Sequence, residues 1–145
     1  MNSIHLLLVE DNEGDILLTR DALEDAKLII ELSVVKDGKA AMDFLGRNGE
    51  YQNSMQPDLI LLDVNLPKKN GHEVLKYIKD DEKLKHIPVI ILTTSSSEND
   101  INMSYNNHAN CYITKPVDVN NFIHVVSTIE NFWISIVRLP TKKNV

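Results

Sequence analysis

The sequence has little that would indicate a disulfide, a nucleotide-binding loop or a membrane segment. Cys111 is the only cysteine, so no disulfide can form within the chain. The 5 glycines are dispersed, and no glycine-rich phosphate loop follows a predicted strand, which disfavours a nucleotide-dependent enzyme. No apolar run approaches membrane-spanning length, and the run Leu6–Val9 lacks the basic flank and cleavage site of a signal peptide. We therefore expect a cytoplasmic protein without a membrane partner.

Positive charge is also scarce. Lys and Arg number 15 against 21 Asp and Glu, which gives a formal net charge of −6. Such a chain has no broad positive field to attract nucleic acid, so we expect no nucleic-acid partner. A length of 145 residues with 43% hydrophobic content is that of one domain with a full core. We predict a single domain over residues 1–140 and a frayed tail over 141–145.

The stretch 57–67 contains an apolar run that ends on Asp63, with Pro67 just beyond it. The run is short for a helix and shows no alternation of apolar and polar residues. This pattern is typical of a central strand in a parallel sheet covered on both faces. Ligands in such sheets bind beyond the carboxyl ends of the strands, which is where Asp63 is predicted to lie.

The rest of the chain repeats the alternation of strand and helix. The predicted strands are Ile4–Val9, Ile29–Val35, the run ending at Asp63, Val89–Leu92 and Cys111–Thr114. Five helices are predicted between and after these strands. The first begins at Gly14, the second covers Ala40–Leu45, and the third contains Val74 to Ile78 and closes at Pro88. The fourth covers 98–107, and the fifth runs from an N-cap at Asp118 to Pro140. Right-handed crossovers then give an α/β fold, a doubly wound five-stranded parallel sheet flanked by five helices.

Chemically useful side chains follow four of the five strands. Glu10 and Asp11 follow the first strand, Asp63 ends the third, Thr93 follows the fourth and Lys115 follows the fifth. Because the carboxyl ends of parallel strands share one edge of the sheet, we expect these groups to lie together. Three carboxylates at one point repel each other, by about 4 kcal/mol for two unit charges ~4 Å apart at an effective dielectric of ~20. A divalent cation would relieve this repulsion, and ligands that are all oxygen favour Mg²⁺ over zinc or copper.

These residues and their spacing resemble the receiver domain of two-component response regulators. The resemblance covers nearly the whole chain and rests on Glu10–Asp11, Asp63, Thr93 and Lys115–Pro116. Thr93 follows Asp63 by 30 residues (93 − 63) and Lys115 follows it by 52 (115 − 63), as in that family. The resemblance implies a flavodoxin-like receiver fold and a signalling function. It implies a signalling phosphoacceptor and not an enzyme, since the protein would catalyse at most its own phosphorylation and dephosphorylation.

By this resemblance, Asp63 is the phosphoacceptor, which receives a phosphoryl group from a sensor histidine kinase. Asp11, Asp63 and the backbone carbonyl of Asn65 would bind Mg²⁺ directly, while Glu10 would act mostly through water. Lys115 would supply a second cation at the transferred phosphoryl group.

The resemblance also implies a conformational switch. Thr93 would donate its hydroxyl to a phosphoryl oxygen, and its inward movement would vacate space for Tyr112. The Lys115–Pro116 bond would be cis. Taken alone, Thr93 and Lys115 could be ordinary turn and surface residues, and Tyr112 could be a half-buried strand residue. The chain carries no effector domain in this interpretation, so output would pass through protein contacts or phosphate relay.

Two other classes of function remain as alternatives. A pseudo-receiver that only binds partners would be expected to lose the acceptor, the threonine or the lysine, and all three are present. An aspartyl-nucleophile phosphatase of the haloacid-dehalogenase type would carry an early Asp-x-Asp motif and a cap insertion, whereas Asp63 lies in mid-chain and is followed by Val64–Asn65. Both alternatives are therefore disfavoured.

Short stretches near the C-terminus are similar to response regulators paired with bacterial phytochromes. They are Ser104–Tyr105, the segment 108–116, Phe132–Trp133 and Leu139–Pro140. The resemblance suggests a phytochrome as the sensor kinase. Phe132 and Trp133 near the end of a long helix could pack in the core or form a self-association patch. We therefore predict a homodimer through the fourth helix, fifth strand and fifth helix.

Overall fold

The computed structural model describes residues 3–24, 29–64, 66, 68, 70–93, 111–115, 117–121 and 124. The strands are β1 (Ser3–Val9), β2 (Ile29–Val35), β3 (Leu59–Asp63), β4 (Val89–Thr93) and β5 (Cys111–Thr114). The helices are α1 (Glu13–Glu24), α2 (Gly38–Gly46) and α3 (Gly71–Asp80), and one turn of 3-10 helix spans Gly49–Tyr51.

Several predictions fall outside these residues. They concern the helix over 98–107, most of the last helix with Phe132 and Trp133, the tail 141–145, the carbonyl of Asn65 and the Lys115–Pro116 bond. The start of the last helix is described. Residues 119–121 and 124 are helical, and Asp118 Oδ1 accepts a hydrogen bond from the backbone amide of Asn121 at 2.8 Å, which confirms Asp118 as the N-cap.

The five strands form one parallel sheet in the order β2-β1-β3-β4-β5. The predicted doubly wound fold class is confirmed. The chain adds β2 on one side of β1 and then crosses to add β3 on the other side. The strand order therefore reverses between β1 and β3, and ligands of such sheets bind beyond the carboxyl ends of the strands at a reversal of this kind.

The central strands β1 and β3 are buried on both faces of the sheet, which explains why they lack polar alternation. All five residues of β3 are buried. Successive residues of β1 and β3 point to opposite faces, so Leu7, Val9, Ile60 and Leu62 pack with α2 and α3. Leu6, Leu8, Leu59 and Leu61 instead pack with α1. Each burial of a leucine or isoleucine side chain contributes roughly 1.5–3 kcal/mol to folding before entropy costs.

One helix end differs from the sequence prediction. The prediction that α3 closes at Pro88 is wrong, because the helix ends at Asp80. Asp81 Oδ1 accepts from the backbone amides of Lys83 and Leu84 at 2.7 and 3.2 Å, and these bonds start a separate turn. Helix α2 ends at Gly46, and the residue after it, Arg47, has a left-handed backbone conformation with φ 57°.

Candidate functional site

Acidic side chains meet where β1 and β3 end. These strands are neighbours, with Val9 paired to Leu62, so Glu10 directly after β1 lies beside Asp63 at the end of β3. Glu10 is fully buried and Asp63 is 3% exposed, whereas Asp11 is exposed. One carboxylate oxygen from each of the three lies within 4.8 Å of the others. The predicted grouping of these acids is therefore present in the fold.

Lys115, which follows the outer strand β5, places a positive charge within this group of acids. It directly follows β5, and its side chain is 8% exposed. Its Nζ lies 2.5 Å from Glu10 Oε1, 3.0 Å from Asp15 Oδ2 and 3.1 Å from Asp63 Oδ2. An ammonium group has three N–H donors, and three carboxylates surround this one. Lys115 is therefore fixed next to the predicted phosphoacceptor.

Burial and like charge alter the protonation of this group. The pKa of Glu10 is raised from 4.5 to about 7, chiefly because burial removes the carboxylate from water and also because Asp63 is a neighbouring anion. Lys115 opposes this rise. The same contacts raise the pKa of Lys115, since Glu10, Asp15 and Asp63 outweigh the cost of burying the ammonium. Lys115 therefore carries a full positive charge at neutral pH.

Asp15 is a member of the site that the sequence did not indicate. Its Oδ2 accepts a hydrogen bond from Lys115 Nζ, although it lies 100 residues away in the chain. The sequence placed Asp15 only in the first turn of the helix predicted to begin at Gly14. Its position in the sequence could have indicated this role. Asp15 lies three residues after Asn12, in the first turn of the helix that follows Glu10 and Asp11.

The elements around the acids hold their backbone in place. Asn12 precedes α1 and accepts hydrogen bonds from Asp15 N through its side chain and from Ile16 N through its carbonyl, each 2.9 Å long. Beyond β3, Gly71 N donates to Val64 O at 3.1 Å. A Cβ atom at residue 71 would lie 2.4 Å from the carbonyl oxygen of Asp63, so only glycine allows α3 to start this close to the strand end.

The two predicted switch residues lie on the neighbouring strands. Thr93 is the last residue of β4 and pairs with Thr114 of β5, and Leu92 pairs with Asp63. Thr93 thus lies one position beyond Asp63 at the same edge of the sheet. Tyr112 of β5 is half-buried and packs against the cluster that contains α2 and α3. The backbone therefore places Thr93 and Tyr112 on adjacent strands next to the acids.

The residues present fit a hard divalent cation. The clustered donors are carboxylate oxygens, two of them nearly removed from water, and the ligands that Mg²⁺ and Mn²⁺ accept are oxygens of this kind. Glu10, Asp11, Asp15 and Asp63 carry up to four negative charges against the single charge of Lys115. A divalent cation would therefore offset an unbalanced negative charge.

Known proteins are similar to this chain in sequence and in fold over most of their length. The profile of the response regulator receiver domain matches residues 6–127. Response regulator Rcp1 of Synechocystis sp. is 49% identical over 135 residues, which are 93% of this chain and 92% of that protein. The crystal structure of the phosphorylated cyanobacterial phytochrome response regulator RcpA is 50% identical, with a TM-score of 0.78, and the match covers 92% of this chain and 95% of that one.

A crystal structure of the Mn²⁺-bound form of Rcp1 is 48% identical, with a TM-score of 0.76, and the match covers 92% of this chain and 96% of that one. In the described residues, no helix is long and apolar enough to cross a membrane. The matched profile includes Glu10, Asp63, Thr93 and Lys115 within its bounds. By its sequence and its fold, this chain belongs to the response regulator receiver domain family.

Proposed function

We propose that Asp63 accepts a phosphoryl group from the phosphohistidine of a sensor histidine kinase. The single observation that carries the proposal is the position of Asp63. Asp63 is 3% exposed and lies where the strand order reverses. It is grouped with Glu10 and Asp11, and its Oδ2 lies 3.1 Å from Lys115 Nζ. A carboxylate oxygen would attack phosphorus, the bond from phosphorus to the histidine nitrogen would break, and an acyl phosphate would remain on Asp63.

Mg²⁺ would be held at the same acids. Asp11 and Asp63 would be direct ligands together with the carbonyl of Asn65, and Glu10 would act through water. The exposure of Asp11 and the burial of Glu10 beside Lys115 support this division. When bound, Mg²⁺ supplies positive charge that offsets the charge of the transferred phosphoryl oxygens.

Lys115 and Thr93 would bind the phosphoryl group once it is attached. The Lys115 ammonium already lies within hydrogen-bond distance of an Asp63 oxygen, so a small movement brings it to a phosphoryl oxygen. Thr93 at the end of β4 would donate its hydroxyl from the next strand. Its movement would draw Tyr112 inward and change the surface formed by the fourth helix, β5 and the fifth helix. Catalysis by this chain would be limited to its own phosphorylation and dephosphorylation.

The partner would be a sensor histidine kinase that acts in the cytoplasm, and a phytochrome is the specific class we propose. Support comes from the sequence and from RcpA, which is described as a phytochrome response regulator. Leu17 and Leu18 of α1 are 57% and 50% exposed, and they follow Asp15 on the same helix. We propose that these leucines form part of the surface that receives the kinase.

Labelling with a small phosphoryl donor tests the central assignment. Incubation with acetyl phosphate and Mg²⁺ should add the mass of one phosphoryl group to the wild type and none to Asp63→Asn, because an amide cannot form an acyl phosphate. Asp58→Asn is the matched control. Asp58 lies on the same chain segment at the other end of β3, where its Oδ2 accepts from the backbone amide of His5 at 2.9 Å, so this variant should label like the wild type.

Two outcomes would reject the assignment. Stoichiometric labelling of Asp63→Asn would place the phosphoryl group on another residue. A wild type that binds Mg²⁺ but acquires no mass from acetyl phosphate or from a phosphorylated kinase would instead be a receiver that acts only by binding partners.

A further inference from the structure

Lys115 and the proposed metal site use overlapping sets of carboxylates. The Lys115 ammonium contacts Glu10, Asp15 and Asp63. The group of oxygens suited to a cation comprises Glu10, Asp11 and Asp63. Glu10 and Asp63 belong to both sets, and Asp15 belongs to the ammonium set only. A divalent cation at the shared oxygens and an ammonium group beside it would repel each other and compete for the same lone pairs.

The first turn of α1 directs Asp15 toward Lys115. In α3 the corresponding carboxylate, Glu73, reaches back to the amide of its N-cap residue Asn70 and completes a capping box. Asp15 occupies the same position relative to Asn12, three residues on. However, the Asn12 amide donates to Glu10 Oε2 at 3.3 Å, and the Asp15 carboxylate accepts from Lys115 at 3.0 Å. The Asp15 carboxylate therefore binds the Lys115 ammonium, whereas Glu73 of α3 binds the backbone amide of its N-cap residue.

We propose that Asp15 is a positioning residue for Lys115. Asp15 holds the ammonium group when a divalent cation engages Asp63 directly and Glu10 through water. With Asp15 present, Lys115 keeps one charged partner at 3.0 Å and remains beside Asp63. Without it, Lys115 would have only the two carboxylates that the cation also needs. The inference rests on the proposed function, because it assumes that a divalent cation binds at these acids.

Glu13 provides a matched control for the charge of Asp15. It lies on the same turn of α1, two residues earlier, and it pairs with Lys36 on the surface. Its side chain is 73% exposed, against 30% for Asp15. Glu13→Gln therefore removes the same formal charge near the site without altering any contact of Lys115.

Calorimetric titration of Mg²⁺ into metal-free protein, with no phosphoryl donor present, tests the proposal. Asp15→Asn should weaken Mg²⁺ binding about tenfold or more, which is the usual effect of removing a group that orients a metal site from outside its ligands. Glu13→Gln should weaken binding by less than about threefold, because exposed charges are screened. Equal affinities for Asp15→Asn and Glu13→Gln would overturn the proposal.

The Lys115→Met background separates an effect through Lys115 from a direct effect on the cation. Without the ammonium there is nothing to position, so Asp15→Asn should then weaken Mg²⁺ binding no more than Glu13→Gln does. If Asp15→Asn costs as much affinity in Lys115→Met as in the wild type, Asp15 acts on the cation itself and the proposal is wrong. Thermal melts confirm that each variant is folded, and Lys115→Gln serves as the background if Lys115→Met unfolds.

The titration also separates this proposal from the proposed function. A protein that shows the Asp15 effect on Mg²⁺ affinity but is never labelled at Asp63 would retain the positioning role and lose the phosphoacceptor role. A protein that is labelled at Asp63 while Asp15→Asn binds Mg²⁺ like the wild type would retain the function and lose the role of Asp15.

Discussion

Glu10 and Asp63 are neighbouring carboxylates that folding removes from water. At Glu10, burial and the neighbouring Asp63 carboxylate favour the protonated acid, whereas the Lys115 ammonium favours the ionised form. One ammonium group is shared between the two and also contacts Asp15. The site therefore holds less positive charge than its acids require, and this deficit makes it receptive to a cation.

Glu10→Gln should change how the stability of the metal-free protein depends on pH. Folding raises the pKa of Glu10 from 4.5 to about 7, so the folded protein binds the proton more tightly than the unfolded chain does. The resulting stabilisation is full below pH 4.5 and is lost as the pH rises to about 7. In chelator, the free energy of unfolding of the wild type relative to Glu10→Gln should fall by about 1–3 kcal/mol across this range.

Urea denaturation at several pH values measures this difference. Glu24→Gln is the control, because Glu24 is an exposed glutamate at the end of α1, and its pH dependence should match the wild type. A constant difference between wild type and Glu10→Gln across the range would show that folding leaves the ionisation of Glu10 unchanged.

The sequence predicted Glu10, Asp11, Asp63 and Lys115 as one group because each directly follows or ends a strand. Strand ends can be recognised from apolar runs, and parallel topology then brings them together. Asp15 was missed for a physical reason. Its contact with Lys115 depends on the direction of one side chain on a helical turn, which apolar periodicity does not encode.

At the scale of elements, the start of α3 fixes the end of β3, which carries the proposed acceptor Asp63. Gly71→Ala would place a Cβ 2.4 Å from Asp63 O and 2.5 Å from Val64 Cα, so the helix or the end of β3 must move. We expect a loss of roughly 1–3 kcal/mol in the free energy of unfolding. Labelling of Asp63 by acetyl phosphate should also slow, because the acceptor and its neighbouring backbone shift together.

Gly46→Ala is the matched control for Gly71→Ala. Its Cβ would approach Asn48 Nδ2 and Tyr77 Oη at 3.0 Å, and both are ends of side chains that can turn away. Gly46 ends α2, and this variant should label at the wild-type rate. If Gly71→Ala labels as fast as Gly46→Ala, the close approach of α3 does not position Asp63.

Lys79 connects the end of α3 to the turn segment that precedes β4. Its Nζ donates to the carbonyls of Lys85 and Ile87 at 3.2 and 2.9 Å, and burial lowers its pKa. Lys79→Met should destabilise the protein by about 1–3 kcal/mol, because two carbonyl groups lose their donor. Lys76→Met removes an exposed pair with Asp80 and should cost about 0.5 kcal/mol or less. Equal denaturation midpoints for the two variants would contradict this role.

These contacts also explain why the sequence placed the end of α3 wrongly. Pro88 is a strong signal that a helix has ended, but it does not say how much earlier the end lies. The actual end depends on Asp81, which caps a new turn, and on Lys79, which binds that turn from the helix. Such local competition between side chain and helix is not visible as a hydrophobic period.

At the scale of the whole molecule, the parallel, doubly wound sheet was predictable from the sequence, whereas the order of its strands comes from the structure. Continuous apolar runs indicated strands buried on both faces, and alternating helices then required parallel pairing. The same topology makes β1 and β3 neighbours and leaves β5 at an edge of the sheet. Self-association could not be derived in the same way. Apolar residues near the end of a helix show the same sequence pattern whether they pack in the core or against a second copy of the chain.

The predicted homodimer would use the face that includes β5. In the described sheet β5 has β4 on one side, and its half-buried Tyr112 borders the strand end that carries Thr93. Phosphorylation of Asp63 could therefore alter this face through Thr93 and Tyr112. A coupling of about 1–3 kcal/mol between phosphorylation and dimerisation would shift the dimer population severalfold or more.

Light scattering with and without beryllofluoride, a mimic of the phosphoryl group, tests this prediction. The wild type should form a dimer whose population changes when Mg²⁺ and beryllofluoride are added, and Trp133→Ala should weaken the dimer because an aromatic contact is lost. Leu17→Ala is the control, since it removes an exposed apolar side chain from α1 and should leave the dimer intact. A wild type that remains monomeric at high concentration in both states would exclude the dimer, and a dimer weakened by Leu17→Ala but not by Trp133→Ala would place the interface on α1.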